Sequence, residues 1–343
     1  MPPEDTAAAV ARHGQVIPAC HFAPAPWLPG PHLPTIWASA CRRPPAIALE
    51  FERVELADGD FVDLAWTPAH AGPCVLVLHG LEGSHHSTYA RAILAALAAH
   101  GYRGVLMQFR GCSGEPNRLA RSYHSGDTGD VAEVAALIAA RHGRAPFAAL
   151  GYSVGGNVLL KWLGERGADH PLITAVAVSV PFDLAACASR LDQGASRLYQ
   201  WRLLRSMQAK FAAKFRLRPA PLAVQDVSGL STFWRFDDAV TAPLHGFRDA
   251  VDYYTRSSSR AFLGRIAIPT LILHAEDDPF VPASAIPTAL ELAPPVTLEL
   301  APHGGHVGFV AGRVPGRAHY WLESRIIAHL DLLRARYDGA ADR

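Results

Sequence analysis

The chain has 343 residues, of which 50% are hydrophobic and 18% are charged. This is enough to bury a large core, either in one large α/β domain with an insertion or in two ordinary domains. Lys and Arg number 32 against 31 Asp and Glu, so the formal net charge is +1, and the sequence has no dense basic block or aromatic-basic patch. Nucleic acid is therefore not an expected partner.

Five cysteines are spread along the chain without a Cys-x-x-Cys pair: Cys20, Cys41, Cys74, Cys112 and Cys187. Their odd number and wide spacing argue against a disulfide framework and against a zinc site, and favour reduced thiols. The start of the sequence, Met1–Asp5, lacks the basic segment and apolar core of a secretory leader, and no stretch approaches the ~18 apolar residues of a membrane span. We therefore expect a cytoplasmic protein without a transmembrane segment; the sequence gives no indication of its oligomeric state.

Residues 1–46 are rich in proline and predict an irregular N-terminal arm, because the five prolines oppose a regular helix: Pro24, Pro26, Pro29, Pro31 and Pro34. The aromatic residues Phe22, Trp27 and Trp37 favour an arm that packs on the body of the protein, since disordered tails are usually poor in such residues.

From residue 47 the pattern changes to strands that alternate with helices. Leu49–Leu56 and Phe61–Trp66 predict a hairpin, and continuous apolar runs predict six parallel strands at Cys74–Leu78, Gly104–Phe109, Phe147–Leu150, Ile173–Val180, Pro269–His274 and Val296–Leu300. Helices are predicted at Tyr89–Ala99, Asp127–Arg141, Asn157–Leu163 and Ala318–Tyr337. The prediction is an α/β fold with a mostly parallel eight-stranded sheet, covered by helices on both faces and formed by residues 47–181 and 263–337.

The most informative stretch is Phe147–Gly156, where an apolar strand runs directly into Gly-x-Ser-x-Gly around Ser153. Such a strand-to-helix turn projects the serine hydroxyl from the sheet and strains its backbone, and the glycines at positions 151 and 155 relieve the crowding. The buried helix that follows would direct its positive N-terminal end at Ser153. A bare Gly-x-Ser-x-Gly can be a plain turn, but this context predicts a nucleophile elbow.

A serine that attacks a carbonyl needs two fixed N–H donors for the developing oxyanion. One comes from the residue after the nucleophile and the other from the loop after the third predicted strand, which here reads His79-Gly80-Leu81. Val154 and Leu81 are therefore the candidate oxyanion-hole residues. Taken alone, His79-Gly80 could also simply end a strand.

The remaining members of a catalytic triad are predicted in two late loops. Asp278 follows a buried strand and precedes a proline, with Asp277 and Glu276 as rivals; a solvated acidic turn is the plain alternative. His306 follows the last strand and two glycines, and is favoured over His303. The chain order Ser153, Asp278, His306 is the one found in α/β-hydrolases.

Between the sixth and seventh predicted strands, residues 182–262 lack strand runs and predict an inserted helical cap. Probable helices are Leu184–Leu191, Ser196–Phe215 and Phe247–Tyr254. Its aromatic residues could line an acyl pocket or form the core of the cap: Trp201, Phe211, Phe215, Phe233, Trp234 and Phe236. Its basic residues could meet an anionic head group or solvate the outer face: Arg197, Arg202, Arg205, Lys210 and Lys214.

The loop of residues 110–125 leaves the same edge of the sheet as the elbow and could border the site. Cys112 lies beside Arg110, yet no base is partnered to it by motif, so a catalytic thiol is not predicted. His124 could contact substrate, but a surface or helix-capping role fits it better.

Several of these stretches together resemble the YheT-like branch of the α/β-hydrolases, also called the AB hydrolase 4 family. They are Pro24–Thr35, His79–Ser84, Phe109–Asn117, Tyr123–Gly126, Gly151–Asn157 and His274–Phe280, so the resemblance extends over about residues 22–335. The Arg-Gly-Cys-Ser-Gly-Glu-Pro-Asn run is specific to that branch. The resemblance implies a Ser-Asp-His hydrolase of carboxylic esters, lipid-like esters included, that uses no metal or organic cofactor.

Three functional interpretations remain open at this stage. The favoured one is a carboxylesterase or lipase-like enzyme that acts on a small-molecule ester through an acyl-enzyme. An acyltransferase or thioesterase with the same triad would differ only in which nucleophile reaches the acyl-enzyme. The third is a binding protein on the same scaffold without catalytic activity, against which the complete set of triad and oxyanion candidates argues.

Overall fold

The computed structural model describes residues 13–216 and 219–341. A nine-stranded sheet has the order β1-β9-β8-β7-β6-β4-β5-β3-β2. The strands are β1 Gln15–Pro18, β2 Glu50–Glu55, β3 Phe61–Trp66, β4 Cys74–Leu78, β5 Arg103–Gln108, β6 Ala148–Tyr152, β7 Thr174–Val178, β8 Thr270–Ala275 and β9 Val296–Ala301. The pairing is parallel from β1 to β5 in this order, and β3 and β2 add an antiparallel edge. The parallel α/β sheet is thus as predicted, with one strand more.

Helices cover both faces of the sheet. The α-helices of the chain, which include others besides those on the sheet, are α1 His32–Ala40, α2 Thr88–Ala99, α3 Gly129–His142, α4 Val154–Arg166, α5 Leu184–Leu191, α6 Ser196–Lys214, α7 Phe233–Phe236, α8 Ala242–Leu244, α9 Ala250–Ser257 and α10 Trp321–Ala341. Alternate residues of the central strands point to opposite faces. Leu76 and Leu78 pack with α3 and α4, whereas Val75 and Val77 pack with α2 and α10. In the ranges that the structure describes, no helix is both long and apolar enough to cross a membrane.

The ninth strand is β1, which lies in the stretch predicted to be an irregular arm. It pairs in parallel with the edge strand β9, with Gln15 opposite Thr297. The sequence prediction of eight strands was wrong here because β1 has only four residues, ends in Pro18 and is mostly exposed, so it shows no periodicity. Residues 1–12 of the predicted arm lie outside the described residues.

A regular helix also occurs in the Pro-rich segment, contrary to the sequence prediction. Pro31 occupies the N-cap position of α1 and Pro34 lies in its first turn. The N–H groups of the first turn have no partner within a helix, so a proline there removes no helical hydrogen bond. The arm packs on the body, as Phe22 contacts both Phe309 and Trp321.

Between β7 and β8 the chain forms helices α5 to α9, and none of the described residues of 182–262 joins the sheet. We call residues 182–262 the cap segment. It has its own apolar core, which includes Leu204, Phe236 and Tyr254. It is attached to the carboxyl edge of the sheet by contacts such as the Ser196 hydroxyl, which donates to the carbonyl of Pro279 at 2.7 Å.

Candidate active site

Ser153 occupies the sharp turn between β6 and α4. Its φ of 50° lies in the left-handed region, where a side chain strains the backbone. A Cβ added to Gly151 would lie 2.4 Å from the carbonyl oxygen of Gly155, and one added to Gly155 would lie 2.5 Å from that of His79. Both glycines are therefore required for the turn that exposes the serine at the start of a helix.

The loops after β8 and β9 bring Asp278 and His306 to Ser153. The His306 Nε2 atom lies 3.0 Å from the Ser153 Oγ atom, and the His306 Nδ1 atom lies 2.8 Å from the Asp278 Oδ2 atom. The Asp278 side chain is fully buried, and its Oδ1 atom accepts the amide of Phe280 at 2.8 Å. When the Nδ1–H group donates to the Asp278 carboxylate, the imidazole presents its unprotonated Nε2 atom to the serine hydroxyl. The structure thus brings together the three residues that the sequence selected.

The rival residues form a second pair that does not reach Ser153. Asp277 contacts His303 through its Oδ2 atom at 3.2 Å, and 69% of the His303 side chain is exposed. The Asp277 Oδ1 atom accepts the amides of Gly304 and Gly305, both at 2.9 Å. Glu276 points to solvent. The Asp277 carboxylate therefore holds the loop that carries His306 without contacting the imidazole of His306.

Two positions that sequence reasoning missed hold His306 in place. Its ring stacks on Phe280 with the centroids 4.0 Å apart and the planes parallel within 1°. Its amide donates to the Thr35 hydroxyl of α1 at 2.9 Å, and that hydroxyl donates to the carbonyl of Pro31. The N-terminal arm thus supports the candidate base. The resemblance at Pro24–Thr35 was the available signal, but it assigned no role to Thr35.

The candidate oxyanion-hole residues flank the same serine. In the turn after β4, the Gly80 amide donates to the Tyr89 hydroxyl, the Glu82 amide to the Tyr123 hydroxyl and the Gly83 amide to the Gly80 carbonyl. Among the four residues Gly80–Gly83, the Leu81 amide is the one that has no acceptor within the described residues. Val154 is the first residue of α4, whose N–H has no acceptor within the helix. Two donors are thus available beside Ser153.

His79 fixes this turn from inside the protein. It is fully buried, and burial lowers its pKa to about 4, so the ring is neutral at ordinary pH. Its Nε2 atom accepts the amide of Phe109 at 3.1 Å, and its Nδ1 atom donates to the carbonyl of Gly80 at 2.7 Å. The ring joins the ends of β4 and β5, so His79 positions the turn that carries Leu81.

Glu82 links the turn to the cap segment. Although it is not glycine, its φ is 58°, and its side chain is buried. The carboxylate accepts hydrogen bonds from the hydroxyls of Tyr123 and Ser206 and pairs with the Lys210 ammonium at 3.0 Å. Sequence reasoning assigned no role to Glu82, because its partners lie far away along the chain.

A cavity of about 470 Å³ opens at Ser153 and extends beneath the cap segment. Six aromatic residues could line an acyl pocket or form the core of the cap segment, and four of them line this cavity: Phe211, Phe215, Phe233 and Phe236. Trp234 does not line the cavity, but it packs on Tyr254 in the core of the cap segment and donates to the Ser189 hydroxyl, so the core alternative holds for it. Neither alternative holds for Trp201, which is 56% exposed on the outer side of α6.

The loop after β5 forms the polar wall of the cavity. Arg110 is buried and anchors the loop with two 2.7 Å bonds to Asp130 and one of 2.9 Å to Asp60. Burial raises the pKa of the Cys112 thiol to about 11, which makes Cys112 a poor nucleophile. His124 lines the cavity, and burial holds its pKa well below the usual range, so it is a neutral wall residue.

The basic residues of α6 divide into two sets. Lys210 and Lys214 line the cavity, where the Lys210 ammonium contacts the Cys112 sulfur at 3.2 Å and that of Lys214 donates to the Asn117 amide oxygen at 2.8 Å. Arg197, Arg202 and Arg205 are exposed to solvent. Within residues 13–216 and 219–341, no group of three or more His, Cys, Asp or Glu side chains is placed to hold a metal ion.

Comparison with known families and proteins gives concordant results. Residues 73–312 match the family described as alpha/beta hydrolase fold. The "Putative esterase YheT" of Escherichia coli is 46% identical over 301 residues, which cover 86% of this chain and 88% of that protein. The "Phospholipase ABHD3" of Mus musculus is 31% identical over 312 residues, which cover 84% of this chain and 75% of that protein.

Solved structures show the same fold at low sequence identity. The alpha/beta hydrolase GrgF from Penicillium has a TM-score of 0.53 at 18% identity, with 84% of this chain and 99% of that chain covered. The Pyrococcus furiosus esterase Pf2001 has a TM-score of 0.50 at 16% identity, with 77% of this chain and 91% of that chain covered.

Proposed function

Because the chain belongs to the YheT-like branch of the α/β-hydrolase family, we propose that it is a serine hydrolase that cleaves carboxylic esters through an acyl-enzyme. The observation that carries the proposal is the unbroken chain of hydrogen bonds from Asp278 through His306 to Ser153 at the mouth of the cavity. A serine hydroxyl becomes nucleophilic at neutral pH only when such a base accepts its proton.

In the proposed mechanism, the Ser153 oxygen attacks the ester carbonyl while the His306 Nε2 atom takes the hydroxyl proton. Asp278 holds the Nδ1 proton and stabilises the imidazolium. The oxyanion of the tetrahedral intermediate is bound by the amides of Leu81 and Val154, each donor contributing on the order of 3 kcal/mol. His306 then protonates the leaving alcohol, and water, activated by the same imidazole, releases the acid.

We propose that residues 47–181 and 263–337 carry out the reaction and that the cap segment selects the acyl group. The cavity walls from the cap are mainly apolar, with Phe211, Phe233 and Val240 among them. An apolar slot of this kind suits an acyl chain. The relative named a phospholipase supports a lipid-like ester as the substrate class.

The direct test is labelling with a fluorophosphonate, followed by a screen of p-nitrophenyl esters of graded chain length. The parent should be labelled once and should hydrolyse the esters, whereas Ser153→Ala should lose both labelling and turnover because it removes the attacking oxygen. Thermal unfolding of both proteins serves as the folding control. If Ser153→Ala labels and turns over like the parent, Ser153 is not the nucleophile. An unlabelled and inactive parent would contradict the proposal as a whole.

A further inference from the structure

Helix α6 has three distinct faces, which follow from its 3.6-residue period. Gln200 and Leu204 are buried. A second set, spaced three or four residues apart, lines the cavity: Leu203, Met207, Lys210 and Lys214. A third set is exposed and consists of two pairs, each spaced four residues apart: Leu198 with Arg202, and Trp201 with Arg205. We call this third set the outer face of α6. The same helix thus forms a wall of the cavity and an outer surface.

The composition of the outer face is unusual for a surface exposed to water. Leu198 is 63% exposed and Trp201 is 56% exposed, one helical turn apart. The Arg205 guanidinium lies 5.3 Å from the centre of the Trp201 ring. The whole helix carries five basic residues and no acidic one, in a chain whose net charge is only +1. The positive charge and the exposed apolar side chains therefore coincide on one helix.

Helix α1 continues this surface. The His32 Nδ1 atom lies 3.2 Å from the Tyr199 hydroxyl, and the two rings stack at 5.7 Å. Next to His32, Leu33 is 44% exposed, and Ile36, one turn further along the helix, is 42% exposed. Tyr199 in turn directly follows Leu198. Two adjacent helices thus expose apolar side chains on either side of the His32 and Tyr199 contact, and α1 contains no charged residue to oppose the basic ones of α6.

From this arrangement we propose that the outer face of α6, together with Leu33 and Ile36, docks on the surface of an anionic lipid bilayer. Interfacial helices combine Trp and Leu, which enter the region of the head groups, with Lys and Arg, which attract anionic lipids. A lipid surface is a suitable partner because its binding requires no shaped groove on the protein, and because it interacts favourably with both apolar and basic side chains. Since α6 also lines the cavity, docking would bring the cavity close to the membrane. The docking is independent of the catalytic proposal and is measured without turnover.

The test is cosedimentation of the purified chain with extruded vesicles, either of pure phosphatidylcholine or of phosphatidylcholine with phosphatidylglycerol. The parent should sediment with the anionic vesicles and much less with the neutral ones, and about 0.3 M NaCl should weaken binding. Arg202→Glu with Arg205→Glu should lower the partition coefficient at least about thirtyfold, since each basic side chain near such a surface contributes about 1 kcal/mol. Leu198→Ser with Trp201→Ser should also reduce it.

Matched controls lie at other places on the surface. Arg141→Glu with Arg166→Glu makes the same change in charge at the ends of α3 and α4, and Leu290→Ser removes another exposed leucine. These variants should bind vesicles like the parent, and hydrolysis of a short soluble ester should be equal for all variants if the chain is an esterase. Failure of the parent to bind anionic vesicles would overturn the proposal, and so would equal binding to both vesicle types or equal losses in the control variants. A parent protein that binds anionic vesicles but does not hydrolyse the ester would count against the catalytic proposal alone.

Discussion

The carboxyl edge of the sheet and the cap segment meet at Ser153, and the two regions are built from different interactions. At the sheet edge, short hydrogen bonds to the backbone fix the reacting groups, as when the Asp278 carboxylate accepts the Phe280 amide and Thr35 accepts the His306 amide. The cap segment contributes apolar side chains such as Phe211 and Met207 to the cavity. Hydrogen bonds fix direction and position, whereas apolar packing is tolerant of shape.

This difference separates two kinds of expected defect. A substitution at the sheet edge should lower kcat for every ester by a similar factor, because the same proton transfers occur with each substrate. A substitution in the cap segment should change kcat/KM in proportion to the part of the acyl chain that it contacts. The predictions below test this separation, from the largest expected effect to the smallest.

The largest effect is expected at the histidines. His306→Ala should lower kcat by roughly four to six orders of magnitude, equally for short and long esters, because Ser153 loses its base. His303→Ala is the matched control and should leave kcat nearly unchanged, since His303 is exposed and contacts Asp277. Steady-state kinetics on p-nitrophenyl esters measure both. A large loss in His303→Ala, or little loss in His306→Ala, would show that the wrong histidine was assigned.

The next effect concerns the two neighbouring aspartates. Asp278→Asn should lower kcat by roughly three to four orders of magnitude, because an amide favours the wrong imidazole tautomer. Asp277→Asn should have little effect, since its amide oxygen can still accept the amides of Gly304 and Gly305. The fluorophosphonate labelling rate is a second readout. Equal losses at the two positions would leave the acid of the triad unassigned.

The two regions also differed in how far the sequence predicted them. The positions of the parallel strands along the chain, the elbow at Ser153 and the choice of Asp278 over Asp277 could be proposed from local patterns, because strand ends and turn residues are properties of short stretches. The ninth strand was missed because its hydrogen bonds are made to β9, nearly 300 residues away in the chain.

In the cap segment the sequence predicted helices but not the directions of their side chains. The bounds of α5 were predicted correctly and those of α6 to within one residue. Trp201 and Phe211 are both aromatic residues of α6, yet Trp201 is exposed and Phe211 is buried. Which face of α6 meets the cavity depends on how the helix is rotated against the sheet edge. In the observed orientation Lys210 pairs with Glu82, a contact between residues far apart in the chain.

An intermediate effect is expected from the N-terminal arm. Thr35→Val should lower kcat about tenfold for all esters, because the His306 amide would lose its acceptor and an unpaired buried donor costs about 1 to 3 kcal/mol. Thr35→Ser keeps the hydroxyl and should remain close to the parent. Ser39→Ala is a control on the same helix, since the Ser39 hydroxyl donates to the carbonyl of Ile36 within α1. Parent-like kinetics of Thr35→Val, or an equal loss in Thr35→Ser, would show that this hydrogen bond does not position His306.

The smallest and most selective effect is expected in the cap segment, with esters from acetyl to palmitoyl. For the parent, kcat/KM should rise up to about fourfold per methylene until the cavity is full and then fall, since each buried methylene contributes about 0.8 kcal/mol. Phe211→Ala and Met207→Ala each enlarge the cavity, and Met207 is the less buried of the two residues. Both substitutions should move the chain length of highest kcat/KM to longer acyl chains, with little change for acetyl esters. Trp201→Ala, on the outer face of α6, should keep the parent profile. A flat series in the parent, or the same shift in all three variants, would show that the cap segment does not select the acyl chain, and a uniform loss in Phe211→Ala would place Phe211 with the sheet edge instead.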